Sequence, residues 1–107
     1  SNFISIIMYI AMNRFKIVPG KEKEFEKVWR ERDTHLSEVP GFKKFNLVKG
    51  EKTDEFSLYA SHSIWNSKAD FINWTKSEEF KLAHKNAGQH KDLYLGAPKF
   101  EGFEVVL

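Results

Sequence analysis

The sequence predicts one α+β domain with the ferredoxin-like order β-α-β-β-α-β, in which helices cover one face of an antiparallel sheet. Three observations lead to this prediction. The length of 107 residues suits a single domain over residues 1–107. An apolar run of strand length occupies residues 4–12. Two segments with helical spacing of apolar residues, 21–36 and 67–88, alternate with segments that are typical of strands.

Composition excludes several classes of protein. The chain contains no cysteine, which excludes disulfide frameworks, thiolate metal sites and cysteine nucleophiles. Its 17 basic and 15 acidic residues give a net charge of +2, and this near balance predicts no nucleic-acid partner. The apolar run is shorter than the roughly 20 residues of a membrane span and lacks the flanks of a secretory signal. We therefore expect a cytoplasmic protein without a membrane span.

Pro-Gly pairs mark the end of the first strand and the end of the first helix. Residues 4–18 are apolar at most positions, as in a strand buried on both faces, and Pro19-Gly20 ends the run. Residues 21–36 predict a helix that ends before Pro40-Gly41. Its apolar stripe contains Phe25, Val28, Trp29 and Leu36. Two starts stay open: Met8 as the native first residue with residues 1–7 added, or an upstream start.

The second half of the chain contains the remaining strands and the second helical layer. Ser67 and Ser77 are each followed by residues typical of a helix N-terminus. Gly88 is expected to end the helix that begins at Ser77, and residues 88–98 are predicted as a loop. The expected strands cover residues 42–48, 56–65 and 100–106.

This arrangement leaves one face of the sheet without helices, although the first strand is apolar on both faces. In a chain of this size, a second copy of the same chain is the simplest cover for that face. The sequence therefore predicts a homodimer in which two sheets pack face to face, a dimeric α/β-barrel type of assembly.

Four histidines are the candidate metal ligands, and none forms a compact zinc motif such as H-E-x-x-H. His84 shares a helical stripe with Phe80, so we expect it to point inward, either as a hydrogen-bonded core residue or as a ligand. His90, in the predicted loop, is the competing candidate. We expect His35 near the C-terminus of the first helix, where a cation suits the helix dipole, and His62 in the core.

Two further residues are unusual for their predicted positions. Asn13 interrupts an apolar strand although asparagine is depleted in strands; it lies either at a strand end or in a site that uses its amide. Trp74 is expected to point inward from a short helix, as a core residue or as part of a ligand site. The chain has no nucleophile elbow, P-loop or G-x-G-x-x-G motif, so hydrolysis, phosphoryl transfer and nicotinamide chemistry are unsupported.

Four stretches of the chain resemble the antibiotic-biosynthesis-monooxygenase superfamily, and more narrowly its haem-degrading, IsdG-type branch. They are NRF at 13–15, PGKEKEFEKVW at 19–29, VPGF at 39–42 and IWNSKADFINWTKSEEFKLAHK at 64–85. The resemblance runs from about Met8 to the C-terminus. The last stretch holds a tryptophan and a histidine ten residues apart, and the tail from residue 88 is most similar to bacterial haem-utilisation members.

The resemblance implies a role for each of the unusual residues. His84 would be the proximal ligand of the haem iron through a neutral imidazole nitrogen. Asn13 would lie on the opposite face and donate a hydrogen bond to dioxygen. Trp74 would press on the porphyrin plane, a contact associated in this family with a ruffled macrocycle. The other expected haem-contacting residues are Phe25, Trp29 and Phe80; the alternative is that all of them are ordinary core residues.

The resemblance implies a haem-degrading monooxygenase that binds b-type haem (haem b), cleaves it with O2 and external electrons, and releases iron. Because no flavin or nicotinamide motif is present, a separate reductase or a small reductant would supply the electrons. Two alternatives stay open: a cofactor-independent quinol or polyketide monooxygenase, and a haem-binding carrier without turnover.

Overall fold

A computed structural model of the chain describes residues 7–32, 34–85 and 87–107. The strands are β1 (Tyr9–Ile17), β2 (Phe42–Lys52), β3 (Ser57–Trp65) and β4 (Lys99–Glu104). The α-helices are α1 (Glu22–Glu31), α2 (Lys68–Thr75) and α3 (Glu78–His84). The strands form one antiparallel sheet in the order β2-β3-β1-β4, which confirms the predicted ferredoxin-like fold. The first residues of the apolar run, 1–6, lie outside the described residues.

Strand β1 lies between β3 and β4, and its alternating side chains define the two faces of the sheet. The odd-numbered residues lie beneath the helices, and four of them are buried: Tyr9, Ala11, Phe15 and Ile17. Asn13 occupies the fifth position of this face. The even-numbered residues lie on the opposite face, which no α-helix of the described residues covers.

The two short helices over the sheet begin where their capping residues predict. The Ser67 hydroxyl accepts a hydrogen bond from the Asp70 N–H at 3.1 Å at the start of α2. The Ser77 hydroxyl accepts one from the Phe80 N–H at 3.2 Å at the start of α3. Each cap satisfies one backbone donor that the first helical turn would leave unpaired. None of the described helices is long and apolar enough to span a membrane.

Helix α1 is shorter than its charge and apolar pattern predicts. It ends at Glu31, and Leu36 instead begins a 3₁₀ turn, Leu36–Glu38. His35 precedes that turn with a φ of 55°, in the left-handed region that non-glycine residues rarely occupy. The first helix therefore ends four residues before His35, and the expectation that His35 lies near its C-terminus, where it could interact with the helix dipole, is wrong.

The segment after α3 also differs from its prediction. Helix α3 ends at His84 with Lys85 as its C-cap, so Gly88 does not end it. Residues Ala87–Leu93, predicted mostly as loop, form 3₁₀ turns with a kink at His90. Leu93 from this segment is fully buried. Its side chain packs in the core and so holds this segment against the rest of the domain. No local sequence pattern predicted this contact.

Two aromatic clusters form the core beneath the helices. The first contains Tyr9, Ala11, Leu36, Val39 and Trp65. The second contains Phe15, Ile17, Phe25, Tyr59 and Leu93. Strand β1 contributes to both clusters, and Asn13 lies between its two contributions. The core is therefore divided at Asn13, which leaves space between the clusters.

The open face of the sheet carries an apolar row across three strands. Ile64 on β3, Ile10 on β1 and Phe103 on β4 lie side by side in the register, and Phe103 is 44% exposed. His62 lies on this face as well, opposite Met12. The expectation that His62 lies in the core is wrong, because the alternation of β3 places its odd-numbered residues under the helices.

Glu22, at the start of α1, accepts a hydrogen bond from Ser57 of β3. This contact is expected to make the stability of the fold depend on pH. The pKa of Glu22 falls from 4.5 to about 2, chiefly because the Ser57 hydroxyl donates to its carboxylate at 2.6 Å. A carboxyl whose pKa is lower in the folded state stabilises the fold above its unfolded pKa, and this contribution disappears as the pH falls. Between about pH 4.5 and pH 2, the free energy of unfolding of the wild type should therefore approach that of Glu22→Gln.

Urea unfolding across this pH range measures the difference. The matched control is Glu24→Gln, because Glu24 lies in the same helical turn. Among the described residues, its carboxylate forms one ion pair, with the Lys21 ammonium group at 3.6 Å. A difference between wild type and Glu22→Gln that stays constant from pH 5 to pH 2 would contradict the assignment.

Candidate functional site

A cavity of about 890 Å³ lies between the two core clusters, within the size range of small-molecule sites. Strands β1 and β3 form its floor, and helices α2 and α3 form one wall. The end of α1 and the segment that leads into β4 complete it. Its aromatic lining includes Phe15, Trp29, Phe45, Phe71, Trp74, Phe80, Tyr94 and Phe100.

Asn13 lies on the floor of this cavity, opposite Ser61 of β3. Asn13, Ser61 and the adjacent pair Ala11 and Ser63 are all small or polar, so no large side chain fills the floor at this point. The Asn13 Oδ1 atom is buried and has no hydrogen-bond partner among the described residues. An unpaired buried acceptor costs about 1–3 kcal/mol, and a polar ligand group in the cavity would remove that cost.

Trp74 on α2 forms part of the cavity wall and is held by other rings. It lies 5.3 Å from the Trp65 ring, between centroids, and meets the Phe80 ring edge-on at 4.8 Å. Its indole Nε1 is buried without a hydrogen-bond partner among the described residues. A tryptophan used only for packing usually finds a partner for this N–H.

His84 is the last residue of α3, and its ring orientation is fixed from two sides. Its Nδ1 lies 2.8 Å from the Phe80 carbonyl oxygen, and its ring stacks on the Phe80 ring at 4.1 Å. Because a carbonyl only accepts hydrogen bonds, Nδ1 is the protonated nitrogen and Nε2 of the neutral ring keeps its lone pair. Metal-binding histidines typically show this arrangement, in which the other ring nitrogen donates to a carbonyl or carboxylate.

Together these residues suit a planar, largely apolar ligand that carries a metal ion. The His84 and Trp74 rings lie 6.1 Å apart, and both line the same cavity as Asn13. An oriented imidazole with a free lone pair is a ligand of haem iron in proteins, and aromatic walls suit the flat ring; the Asn13 amide and the Trp74 indole add polar groups to the same cavity.

Of the other residues predicted to contact the ligand, some line the cavity and others do not. Trp29 and Phe80 line the cavity. Phe25 does not, because it is fully buried in the second core cluster and packs on the Trp29 and Tyr59 rings. The expectation that Phe25 contacts the ligand is therefore wrong. His90, the competing candidate ligand, is absent from the cavity lining that the described residues form.

Sequence reasoning missed Ser61, Arg32 and Tyr94, which also line the cavity. Burial raises the pKa of the Tyr94 phenol and lowers the pKa of the Arg32 guanidinium, and each group partly opposes the shift of the other. Ser61 lies on the odd-numbered side of β3 with Ser57 and Ser63, and the even-numbered side is the more apolar in the sequence, so no sequence pattern marked Ser61 as a residue of the helix-covered face. Arg32 and Tyr94 come from segments whose positions depend on tertiary packing, so no local pattern marks them.

Curated relatives match most of the chain. The heme-degrading monooxygenase of Bacillus thuringiensis is 32% identical over 92 residues, which cover 82% of this chain and 81% of the relative. The heme oxygenase (staphylobilin-producing) of Staphylococcus epidermidis is 28% identical over 85 residues, which cover 79% of this chain and 81% of the relative.

Solved structures share the fold. The heme-degrader MhuD of Mycobacterium tuberculosis, with two hemes bound in its active site, aligns with a TM-score of 0.71 and 26% identity over 92% of this chain and 96% of that chain. SnoaB of Streptomyces nogalater, a cofactor-independent oxygenase, aligns with a TM-score of 0.68 and 20% identity over 94% and 95%. The profile of the family described as "Antibiotic biosynthesis monooxygenase" matches residues 8–86. The chain belongs to the antibiotic biosynthesis monooxygenase family.

Proposed function

We propose that this protein is a haem-degrading monooxygenase that binds haem b in the cavity, cleaves the porphyrin with O2 and external electrons, and releases iron. The observation that carries the proposal is His84, whose Nδ1 is tied to the Phe80 carbonyl at 2.8 Å. This bond leaves Nε2 as the nitrogen with a free lone pair on a residue that lines the cavity. The names of the curated relatives support the same activity.

Each cavity residue has a separate task in this proposal. When bound, haem supplies the iron that activates dioxygen and the ring that is cleaved. His84 would hold the iron through Nε2, and its stack on Phe80 fixes the plane of the imidazole. The Asn13 side chain lies at the floor, where its NH₂ can donate a hydrogen bond to dioxygen. Trp74 would press on the porphyrin plane, and the surrounding aromatic side chains would pack against the ring.

Electrons enter from outside the chain in this proposal. The sequence has no G-x-G-x-x-G motif for a nicotinamide or flavin dinucleotide, so a separate reductase or a small reductant supplies them. Ascorbate can therefore replace the physiological donor in a test.

A titration followed by turnover tests the proposal. Hemin added to the purified protein should give a histidine-ligated Soret band that saturates at one haem per chain. Aerobic ascorbate should then remove the band at a rate that catalase does not change, since free peroxide is not the oxidant. A saturated Soret band that survives ascorbate would instead identify a haem carrier.

The second candidate function is a cofactor-independent quinol or polyketide monooxygenase. The likeness to SnoaB favours it at the level of the fold, and the aromatic cavity would also accept a planar quinol. This candidate predicts oxygen consumption with a quinol substrate and no saturable hemin binding. The oriented His84 imidazole has no evident use in that reaction, which is why haem degradation is the better supported function.

We also propose that the open face of the sheet is the interface of a homodimer. The apolar row of Ile64, Ile10 and Phe103 lies on that face, with Phe103 44% exposed in the single chain. A two-fold interface would bury the row of each subunit against its copy. The two cavities would stay independent, because each is built from one chain.

Light scattering after size exclusion measures the assembly. The wild type should elute with twice the chain mass of 12.5 kDa, and Phe103→Lys should weaken the dimer at least ~100-fold, because each interface loses two buried rings. Leu82→Lys is the control, since Leu82 is 50% exposed on α3 and away from the open face. A wild-type monomer at micromolar concentration, or equal dimerisation of both variants, would contradict the proposal.

A further inference from the structure

A second cavity, of about 320 Å³, lies between helix α1 and strand β2, beside the cavity that contains His84 (the main cavity). Strand β2 is an edge strand of the sheet, so this cavity lies at the margin of the domain. Its volume is at the lower end of the range for small-molecule sites. The residues that line only the second cavity are Glu26, Arg30, Leu47, Lys49 and Tyr59.

Two stacked rings separate the two cavities. Trp29 of α1 and Phe45 of β2 line both of them, and their ring centroids lie 5.7 Å apart with an angle of 13° between the planes. The Trp29 ring also packs on the Phe15 and Phe25 rings, which fixes the stack against the core. A molecule in the second cavity would therefore be separated from a ligand of the main cavity by this aromatic wall.

A buried tyrosine and a carboxylate form one polar side of the second cavity. The Tyr59 phenol donates a hydrogen bond to the Glu26 carboxylate at 2.5 Å. Burial raises the pKa of this phenol, and the Glu26 carboxylate raises it further, so Tyr59 keeps its proton and remains the donor. A carboxylate offers about four acceptor positions, and Glu26 can therefore accept a further hydrogen bond from a ligand hydroxyl.

Two exposed cations lie at the rim of the second cavity. Arg30 follows Glu26 by one helical turn, and its guanidinium lies 4.0 Å from the Glu26 carboxylate. Lys49 lies opposite Tyr59 in the register of β2 and β3, with its ammonium nitrogen 5.7 Å from the centre of the Tyr59 ring. No carboxylate of the described residues lies within ion-pair distance of Lys49. With one carboxylate and two cations, the lining carries a net positive charge.

These groups fit a small planar anion that also carries a hydroxyl group. The aromatic wall suits its flat face, the cations suit its negative charge, and the Glu26 carboxylate suits its hydroxyl. An ene-diolate monoanion, the chemical class of ascorbate, combines all three features. Compounds of this class are one-electron donors, and the proposed function requires external electrons without assigning them a place of entry.

We propose that the second cavity binds a small ene-diolate reductant, which passes electrons through the wall of Trp29 and Phe45 to haem in the main cavity. The inference rests on the proposed function for the acceptor of the electrons. The binding of the anion itself depends only on the residues of the second cavity.

Each transfer removes one electron and one proton from the donor. The electron reduces the ferric iron of haem to ferrous iron. The hydroxyl proton goes to the Glu26 carboxylate, and the reductant is left as a radical anion. No bond forms between donor and acceptor, so the aromatic wall between them is compatible with this step.

Equilibrium binding to the haem-free protein tests the site without turnover. Sodium ascorbate, added without oxygen at neutral pH, should shift the backbone amide NMR signals of Arg30 and Lys49 in a saturable manner. The signal of Lys91, which lines the main cavity, should not shift. Lys49→Gln and Arg30→Gln should each raise Kd by about 2- to 5-fold, the value of an exposed ion pair. Both side chains are exposed, so both variants should keep the fold.

Lys27→Gln is the matched control, because it removes the same charge from helix α1. Lys27 is absent from the linings that the described residues form around both cavities. Its variant should bind ascorbate with the wild-type Kd.

Reduction of the hemin complex under carbon monoxide, which traps the ferrous form, tests the donor role. The rate should saturate with the ascorbate concentration. Lys49→Gln should raise the half-saturating concentration and keep the maximal rate. Glu26→Gln should lower the maximal rate without raising the half-saturating concentration, because a glutamine still accepts the Tyr59 hydrogen bond but does not take up the proton.

The possible results separate this inference from the proposed function. Absent amide shifts, or shifts at Lys91 and not at Lys49, would overturn the second site while haem binding stands. A reduction rate that is linear in ascorbate, and equal in Lys49→Gln and Lys27→Gln, would overturn the donor role. Failure of hemin to bind would overturn the proposed function and the donor role, whereas the amide shifts of the haem-free protein would still support the anion site.

Discussion

Replacement of His84 by alanine should abolish the histidine-ligated Soret spectrum of the hemin complex. The substitution removes the nitrogen that the proposal assigns to iron, and it also removes the ring that stacks on Phe80 at 4.1 Å. Hemin affinity should fall at least ~10-fold, since even loss of an outer-shell partner costs 10- to 100-fold in metal affinity. Some binding should remain, because the aromatic walls still bury a large apolar ring.

Absorption spectra of the ferric complex and hemin titrations measure both effects. His90→Ala is the matched control, since His90 is the competing candidate from the sequence and should keep the wild-type spectrum. An unchanged spectrum in His84→Ala, with its loss in His90→Ala, would transfer the ligand role to His90 and contradict the site described above.

Asn13→Ala should leave hemin affinity close to that of the wild type and slow degradation by about 10- to 100-fold, the value of one hydrogen bond between charged or strongly polarised groups. The reason is that the Asn13 amide acts on dioxygen along the reaction path and makes no bond to resting ferric haem. Loss of an interaction that is made only on that path lowers the rate without changing ground-state binding.

Single-turnover loss of the Soret band with ascorbate and catalase measures this effect, and hemin titration of the same sample measures affinity. The control is Asn46→Ala, because Asn46 lies opposite His62 on the open face of the sheet. Unchanged turnover in Asn13→Ala would refute the assigned role. Loss of the folded state would show that Asn13 serves the fold.

The fold was predictable wherever the determining signals are local. The capping serines Ser67 and Ser77 set the starts of α2 and α3 through hydrogen bonds three residues ahead, and alternation set the strands. The end of α1 was not predictable, because residues beyond Glu31 continue a helical pattern. There the chain leaves the helix and Arg32 folds back onto Trp29, an outcome of tertiary packing.

The candidate site was predictable in its polar residues and less so in its walls. Asn13 and His84 stand out because each is polar on an otherwise apolar stripe, and the family resemblance supplies their suggested roles. Phe25 shares the stripe of Trp29, but only Trp29 reaches the cavity, because Phe25, one helical turn earlier, is fully buried in the second core cluster. Periodicity identifies the buried side of a helix and does not separate core residues from residues that line a cavity.

The release of iron from haem is the most direct test of the central claim. The wild-type hemin complex, reacted with aerobic ascorbate in the presence of catalase and a ferrous chelator, should lose its Soret band while chelated iron rises in equal amount. The extracted pigment should have an opened macrocycle by mass spectrometry. Intact haem recovered after the reaction, or a Soret loss that catalase prevents, would contradict the assignment of this protein as a haem-degrading monooxygenase.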